Sequence, residues 1–132
     1  MADTMQFDLV SPERSLLSGQ AKAVRIPGAD GDMTAMPDHA PTVTTLRPGV
    51  LTVEMDGGDQ SFAVTGGFAQ ISAEGTTILA EEALPTSELT ADFVRERVAK
   101  AEAARDAAEG TAVDAATKLV SDLQALGQDV GV

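Results

Sequence analysis

His39 is the single histidine of this 132-residue chain, and with Ser11 and Asp38 it could form a nucleophile, base and orienting carboxylate for acyl transfer. The local sequence does not support that chemistry. No nucleophile elbow surrounds Ser11, and Pro37 and Pro41 flank His39, which marks a turn built for shape. One histidine and no cysteine also exclude His-cluster and thiolate metal sites. Asp56, Asp59, Glu81 and Glu82 invite a calcium reading, but they lack the alternate-residue ladder of a calcium loop and read as a solvated face. Gly28-x-x-Gly31 lacks the Lys-Ser/Thr and helix of a P-loop and the third glycine of a dinucleotide fingerprint, so it reads as an acidic turn between strands. The residue types predict no catalysis, metal or cofactor.

The elements that must position these residues fall into two halves, divided near Leu84-Pro85. Before that point, short Val/Ile/Thr/Phe segments alternate with turn signals. Strands are predicted over 5–11, 21–27, 49–56, 60–65, 68–73 and 76–83, with Asp56-Gly57-Gly58-Asp59 and Glu74-Gly75 as hairpin turns. Between Gly28 and Gly49, Gly31, Pro37, Pro41 and Pro48 punctuate a further string of short strand pieces. A meander of this kind predicts an antiparallel β-sandwich or flattened barrel of about ten short strands over residues 1–85.

Residues 86–132 read as an antiparallel two-helix hairpin, which makes the chain α+β. Thr90 is the expected N-cap of the first helix, which carries Val94, Val98, Ala101 and Ala108 on one stripe and stops at Gly110. Thr111-x-x-Asp114 predicts a capping box for the second helix, where Val113, Ala116, Val120 and Leu123 recur at helical steps. Helices this short are marginal alone. Val94, Val98, Val120 and Leu123 are expected to hold the pair against the sandwich.

Composition narrows the function. The formal net charge is −12, and both halves are acidic, which excludes nucleic-acid backbones and anionic lipid surfaces as partners. Four Phe and no Trp or Tyr leave almost no stacking platform. No apolar run approaches the roughly 18 residues of a membrane span, and Met1–Gln6 lacks the pattern of a secretory signal. A soluble protein that stays where it is made is expected.

Two motifs, in this order and spacing, carry a family likeness. The first is Gly28-x-x-Gly31, Pro37-x-His39-Ala40-Pro41 and Leu46-x-Pro48-Gly49; the second is Val64-x-Gly66-Gly67-Phe68. Over about Met5 to Leu126 the chain resembles the epsilon subunit of bacterial F-type rotary ATP synthases, called delta in mitochondria. The resemblance implies a non-catalytic central-stalk subunit serving ATP synthesis and proton transport. It would be peripheral to the cytoplasmic face of the inner membrane, and would link the gamma subunit to the c-ring. It implies that Ala29, Asp30, Gly31 and Asp32 meet the c-ring and that Ser11 and His39 face gamma. It also implies that the hairpin can extend to the beta subunits and inhibit ATP hydrolysis; the charges after Thr111, Lys118 against Asp114, Asp122 and Asp129, predict that this inhibition is weak here. Some members hold ATP between the helices through an Ile/Leu-Asp-x-x-Arg-Ala motif. Here Asp92 and Arg95 remain, while the flanking residues are Ala91 and Glu96. A nucleotide-sensing module using the hairpin is the alternative, and a small hydrolase using His39 a third. The chain departs from the pattern at Thr34 and Asp38, where the family often has Gly, and at Thr42, where it has Leu.

Overall fold

The computed structural model describes residues 3–132; Met1 and Ala2, which open the segment read above as lacking a signal, lie outside them. The strands are β1 (Met5–Val10), β2 (Ser15–Ala21), β3 (Ala23–Gly28), β4 (Gly31–Ala35), β5 (Thr42–Leu46), β6 (Gly49–Met55), β7 (Gly58–Val64), β8 (Gly67–Ile71), β9 (Gly75–Ala80) and β10 (Ala83–Pro85). A 3-10 turn at Thr86–Glu88 leads to helices α1 (Ala91–Ala107) and α2 (Ala112–Val130).

The ladders form two layers, β4-β3-β6-β7-β10 and β5-β8-β9-β1-β2, joined by a single pair at Gly28↔Leu46. Alternation fills the space between them. Phe7, Leu9, Val24, Ile26, Leu51, Val53, Ile71 and Ile78 are almost fully buried, while Gln6, Asp8, Thr52 and Gln70 point away from that core. The antiparallel expectation holds at every ladder except β1 with β9, which run parallel.

The Gly/Pro motifs sit where the chain crosses from one layer to the other. β5 leads to β6 through Arg47-Pro48, and a Cβ on Gly49 would lie 2.6 Å from that of Pro27. β7 leads to β8 through Thr65-Gly66. Gly67 has φ +125°, and a Cβ there would lie 2.0 Å from the Leu79 carbonyl oxygen. Only glycine fits that approach. Beside this crossing, Glu81-Glu82 returns the chain from β9 to β10, with hydrogen bonds from Thr65 N–H to Glu82 O and from Glu81 N–H to Gly66 O. The strand expected over 76–83 is therefore two strands in different layers.

Other local expectations shift. β2 was not foreseen, because Ser15–Ala21 has adjacent Leu16 and Leu17 and no clean alternation. Ala21, expected to open a strand, closes β2. In the β6–β7 hairpin the positive φ falls on Gly58 rather than on Asp56-Gly57. The Thr90 hydroxyl caps α1 by accepting from Phe93 N–H at 3.1 Å, but α1 ends at Ala107, short of Glu109. The capping box at Thr111 does not form: its φ is −66° and its side chain makes no cap bond. Backbone bonds from Ala112 and Val113 N–H to the Glu109 and Gly110 carbonyls turn the chain instead.

The hairpin's apolar residues divide between two tasks. Val98, Ala101, Val120 and Leu123 pack helix against helix. Docking onto the sandwich falls to Leu126, Phe93 and Val94, which meet Ala63, Leu84 and Leu89. Of the residues expected to hold the pair down, only Val94 belongs to that second cluster.

Candidate docking surfaces

The β3–β4 turn presents Ala29, Asp30, Gly31 and Asp32 at one end of the sandwich. Gly28 pairs with Gly31, and a Cβ on Gly28 would lie 2.7 Å from the Gly31 carbonyl oxygen, so the turn is tight by necessity. Asp30 is exposed at its tip. Asp32 is not free: the Arg47 guanidinium binds its carboxylate and also donates to the Gly28 carbonyl. Arg47 thereby clamps the turn onto the β5–β6 crossing. The sequence reading passed over it as a spacer within Leu-x-Pro-Gly.

Ser11 and His39 do not share a site. His39 Nδ1 lies 2.6 Å from the carbonyl oxygen of its neighbour Ala40, and the Asp38 N–H bond to the Ala73 carbonyl places the turn just ahead of β9. Ser11 hydrogen-bonds Arg14 through its backbone and hydroxyl at the far end of β1. The five residues of β1 that pair with β9, Gln6 to Val10, separate the two ends by roughly 17 Å at a strand rise near 3.3 Å. Ser11, His39 and Asp38 therefore form no nucleophile–base–carboxylate array. Asp38 adopts φ +64°, at the position where glycine is usual in the resembled family.

Asp92 and Arg95 pair with each other on the first turns of α1, with side chains 81% and 72% exposed. They face solvent, not a cleft between the helices.

The outer face of β5-β8-β9-β1 carries what the sequence reading missed. Thr45, Phe68, Leu79 and Val10 are successive cross-strand partners. They form a row perpendicular to the strands, with Phe68 52% and Leu79 44% exposed. Both are out of phase with their buried neighbours Ala69 and Ile78, and that parity was the available signal. A groove of about 610 Å³ runs along this row, walled on one side by Leu119 of α2. The next row, Val43, Gln70, Thr77, Asp8 and Ser18, is mostly polar.

A second missed feature joins the domains. Arg97 of α1 donates through Nε and Nη2 to the two carboxylate oxygens of Glu82, at 2.7 and 2.6 Å. Its guanidinium lies 4.1 Å from the Phe93 ring centroid. Hydrogen bonding to Arg97 holds the Glu82 carboxyl below the ordinary carboxylate range; burial opposes the shift, and the charges of Arg97 and Lys100 add to it. The same pairing raises the pKa of Arg97. Glu82, read above as part of a solvated face, is the sandwich's anchor for the hairpin. Asp56 does lie on the surface, paired with Lys22 at 3.2 Å. Among the described residues no helix is long and apolar enough to cross a membrane.

Comparison with known proteins gives this geometry a context. The family model described as ATP synthase, Delta/Epsilon chain, beta-sandwich domain matches residues 4–86. The chain is 57% identical to the ATP synthase epsilon chain of Ruegeria sp. (strain TM1040), over 96% of each sequence. It is 53% identical to that of Rhodobacter capsulatus over the full length of both. Its fold is similar to a chain in the Euglena gracilis mitochondrial ATP synthase structure of OSCP, F1 and c-ring. That match has a TM-score of 0.76 at 22% identity and covers 98% of this chain and 83% of that one. A chain of the Tetrahymena thermophila mitochondrial ATP synthase central stalk and c-ring gives 0.56 at 18% identity, over 67% and 71% of the two chains. With the sandwich family matched from end to end and close relatives aligned through both helices, the chain belongs to the ATP synthase delta/epsilon chain family.

Proposed function

We propose that the chain is a non-catalytic subunit of the central stalk, binding the gamma subunit through the β5-β8-β9-β1 face and the c-ring through the Ala29–Asp32 turn. Rotation of the ring would pass through the sandwich to gamma, with the protein peripheral to the cytoplasmic face of the bacterial inner membrane. Such a role requires rigidity and contact area. The observation that carries it is the exposed apolar row: a protein of net charge −12 displays Phe68 and Leu79 side by side on a flat sheet, as a permanent protein contact demands. The acidic turn at the sandwich end suits a cationic or amide-bearing surface on the ring, and Asp30 is its uncommitted carboxylate. Ser11 borders the apolar groove, which agrees with a gamma-facing role; His39 would meet the opposite margin of the same face.

The hairpin, docked in this structure, is proposed to be at most a weak inhibitor of ATP hydrolysis. Lys118, the one cation after Thr111, is engaged by Asp122 at 2.6 Å. Asp114 and Asp129 remain, and acidic surfaces repel within the Debye length of about 8 Å. The test of the docking face is gamma binding by the full-length Phe68→Asp variant. Its melting temperature should match the parent, because the ring is half exposed, and gamma affinity should fall at least tenfold. Undiminished affinity would remove this face from the gamma interface.

A further inference from the structure

A turn that meets the ring has to pass load from one layer of the sandwich to the other. The Ala29–Asp32 turn joins β3 to β4 in the β4-β3-β6-β7-β10 layer, whereas the apolar row lies on β5-β8-β9-β1. Apolar packing between the layers resists separation but is non-directional. Directional ties come from hydrogen bonds, and at this end of the sandwich they gather beside the turn. Gly28 pairs with Leu46, the one ladder contact between the layers. The Ala29 N–H donates to the Thr45 carbonyl at 2.9 Å, and the Arg47 N–H to the Pro27 carbonyl at 3.0 Å. The Arg47 side chain adds a brace that the backbone does not supply. Its guanidinium reaches the Gly28 carbonyl before the turn and the Asp32 carboxylate after it. One side chain from the β5–β6 crossing thus holds both limbs of the hairpin.

We propose that Arg47 is the positioning residue of the ring contact, fixing the orientation of the turn and tying it to the layer that carries the apolar row. This rests on the reading of the turn as the ring contact and of the sheet face as the gamma contact. The chemistry suits arginine. Its guanidinium presents separate N–H groups in a rigid fork, and here Nη1 and Nη2 take acceptors on opposite strands. The Arg47 side chain is 26% exposed and that of Asp32 79%, so the cation is held by the crossing and the carboxylate is drawn to it. Packing cannot substitute for this brace. Gly31 has φ +143°, and a Cβ there would meet nothing within 4 Å, so no side chain at that position steadies the second limb. The pairing also sets what the ring meets. With Asp32 compensated by Arg47, Asp30 at the exposed tip is the turn's one uncompensated carboxylate. A turn without Arg47 would present two negative charges on a looser frame.

The experiment uses the full chain, purified gamma and purified c-ring. Exchange of the Ala29 amide, which is bonded across the layers, reports on the tie in the isolated chain. It is followed in the parent, Arg47→Gln and Arg25→Gln; the last removes the same charge from an exposed position on β3. For the same three proteins, affinity for gamma is measured, and then affinity of each gamma complex for the ring. Arg47→Gln should show Ala29 exchange at least tenfold faster, ring affinity at least tenfold lower and gamma affinity within twofold of the parent. Arg25→Gln should match the parent in all three. Arg47→Lys, which keeps the charge but offers one nitrogen for two acceptors, is read by the same criteria should Arg47→Gln not fold. Unchanged Ala29 exchange overturns the brace. Parent-like ring affinity in a variant whose Ala29 amide exchanges faster overturns the positioning role and leaves the ring contact standing. Equal losses of gamma and ring affinity, or an Arg25→Gln that behaves like Arg47→Gln, also overturn that role, the first as general destabilisation and the second as an effect of net charge. A parent–gamma complex that does not bind the ring overturns the ring contact itself, and the positioning role with it.

Discussion

Arg97→Gln isolates the link between hairpin and sandwich. The substitution removes two charge-assisted hydrogen bonds to Glu82 and the cation over Phe93, while preserving much of the side-chain stem. Hydrogen bonds to charged groups contribute about 1.5–3 kcal/mol. Solvent reaches both partners here, with side-chain exposures of 27% and 42%, so about 1–1.5 kcal/mol is the appropriate figure after screening. Loss of the ring contact adds about 0.5 kcal/mol. The total of about 1.5–2 kcal/mol raises the hairpin's opening constant roughly 10- to 30-fold, at 1.4 kcal/mol per decade. Leu126, 1% exposed, stays buried against Ala63 and Leu89, so the hairpin remains mostly docked. Amide exchange resolved by residue is the assay. Exchange in α1 and α2 should accelerate by about that factor, while β1 and β9 stay at the parent rate because they open only with the whole domain. Hairpin exchange within threefold of the parent would refute the assignment, and equal acceleration in the core strands would show a loss of global stability instead. The pH dependence supplies an independent check. The folded-state pKa of Glu82 is depressed, so its contribution is fully present above its unfolded value near 4.5 and is lost as pH falls through the lower folded value. Hairpin exchange in the parent, corrected for the intrinsic rate, should rise in that acid window, and in Glu82→Gln that rise should be absent.

Gly67→Ala should destabilise the sandwich by more than about 3 kcal/mol, since strain at φ +125° adds to a Cβ at 2.0 Å from the Leu79 carbonyl oxygen; parent-like thermal unfolding would contradict the close approach. Asp38, at φ +64°, should tolerate glycine within about 1 kcal/mol, whereas Asp38→Val should lose about 1–2 kcal/mol, and equal melting temperatures for the two variants would contradict the left-handed turn. Asp30→Lys reverses the turn carboxylate not engaged by Arg47, so folding should change by no more than about 0.5 kcal/mol while proton-driven ATP synthesis by the assembled enzyme falls; normal synthesis would remove the turn from the ring contact. Removing residues after Pro85 should raise ATP hydrolysis by the assembled enzyme less than about twofold, below about 0.5 kcal/mol, and a tenfold rise would show that the acidic hairpin inhibits strongly.

The layered sandwich and the hairpin were legible because their signals are local. Alternation at Met5, Phe7 and Leu9 states which face is buried, and the Thr90 hydroxyl lies one residue ahead of the helix it caps. β2 carried no such signal, and its place is fixed by pairing with β1, interrupted only by a register shift at Leu16. The break at Glu81-Glu82 was hidden for a related reason. Thr76 to Ala83 reads as one strand until Gly66, fifteen residues upstream, is known to bond the Glu81 amide. The Thr111 box failed because a threonine followed by an acidic residue describes a cap only when the preceding chain leaves Thr111 in an extended conformation. The short turn after Ala108 places it in the helical region instead.

The docking surfaces divide along the same line. Gly28 and Gly31 announce a tight turn between strands, so the β3–β4 turn could be read from spacing, whereas its docking role followed only from the family resemblance. An ion pair between Glu82 and Arg97 has no periodicity to betray it; its partners, fifteen residues apart, meet only when the fold brings α1 beside the Glu81-Glu82 crossing. The apolar row lies between these cases. Phe68 and Leu79 are on the wrong parity for the core, and each alone is an unremarkable exposed side chain. Their register, with Phe68 opposite Leu79 and Leu79 opposite Val10, turns separate residues into a continuous strip. Val10 joins that strip only because β1 runs parallel to β9, a pairing the sequence pattern did not predict. The apolar strip is thus a consequence of topology, and a variant such as Phe68→Asp tests its proposed role without disturbing the topology that made it.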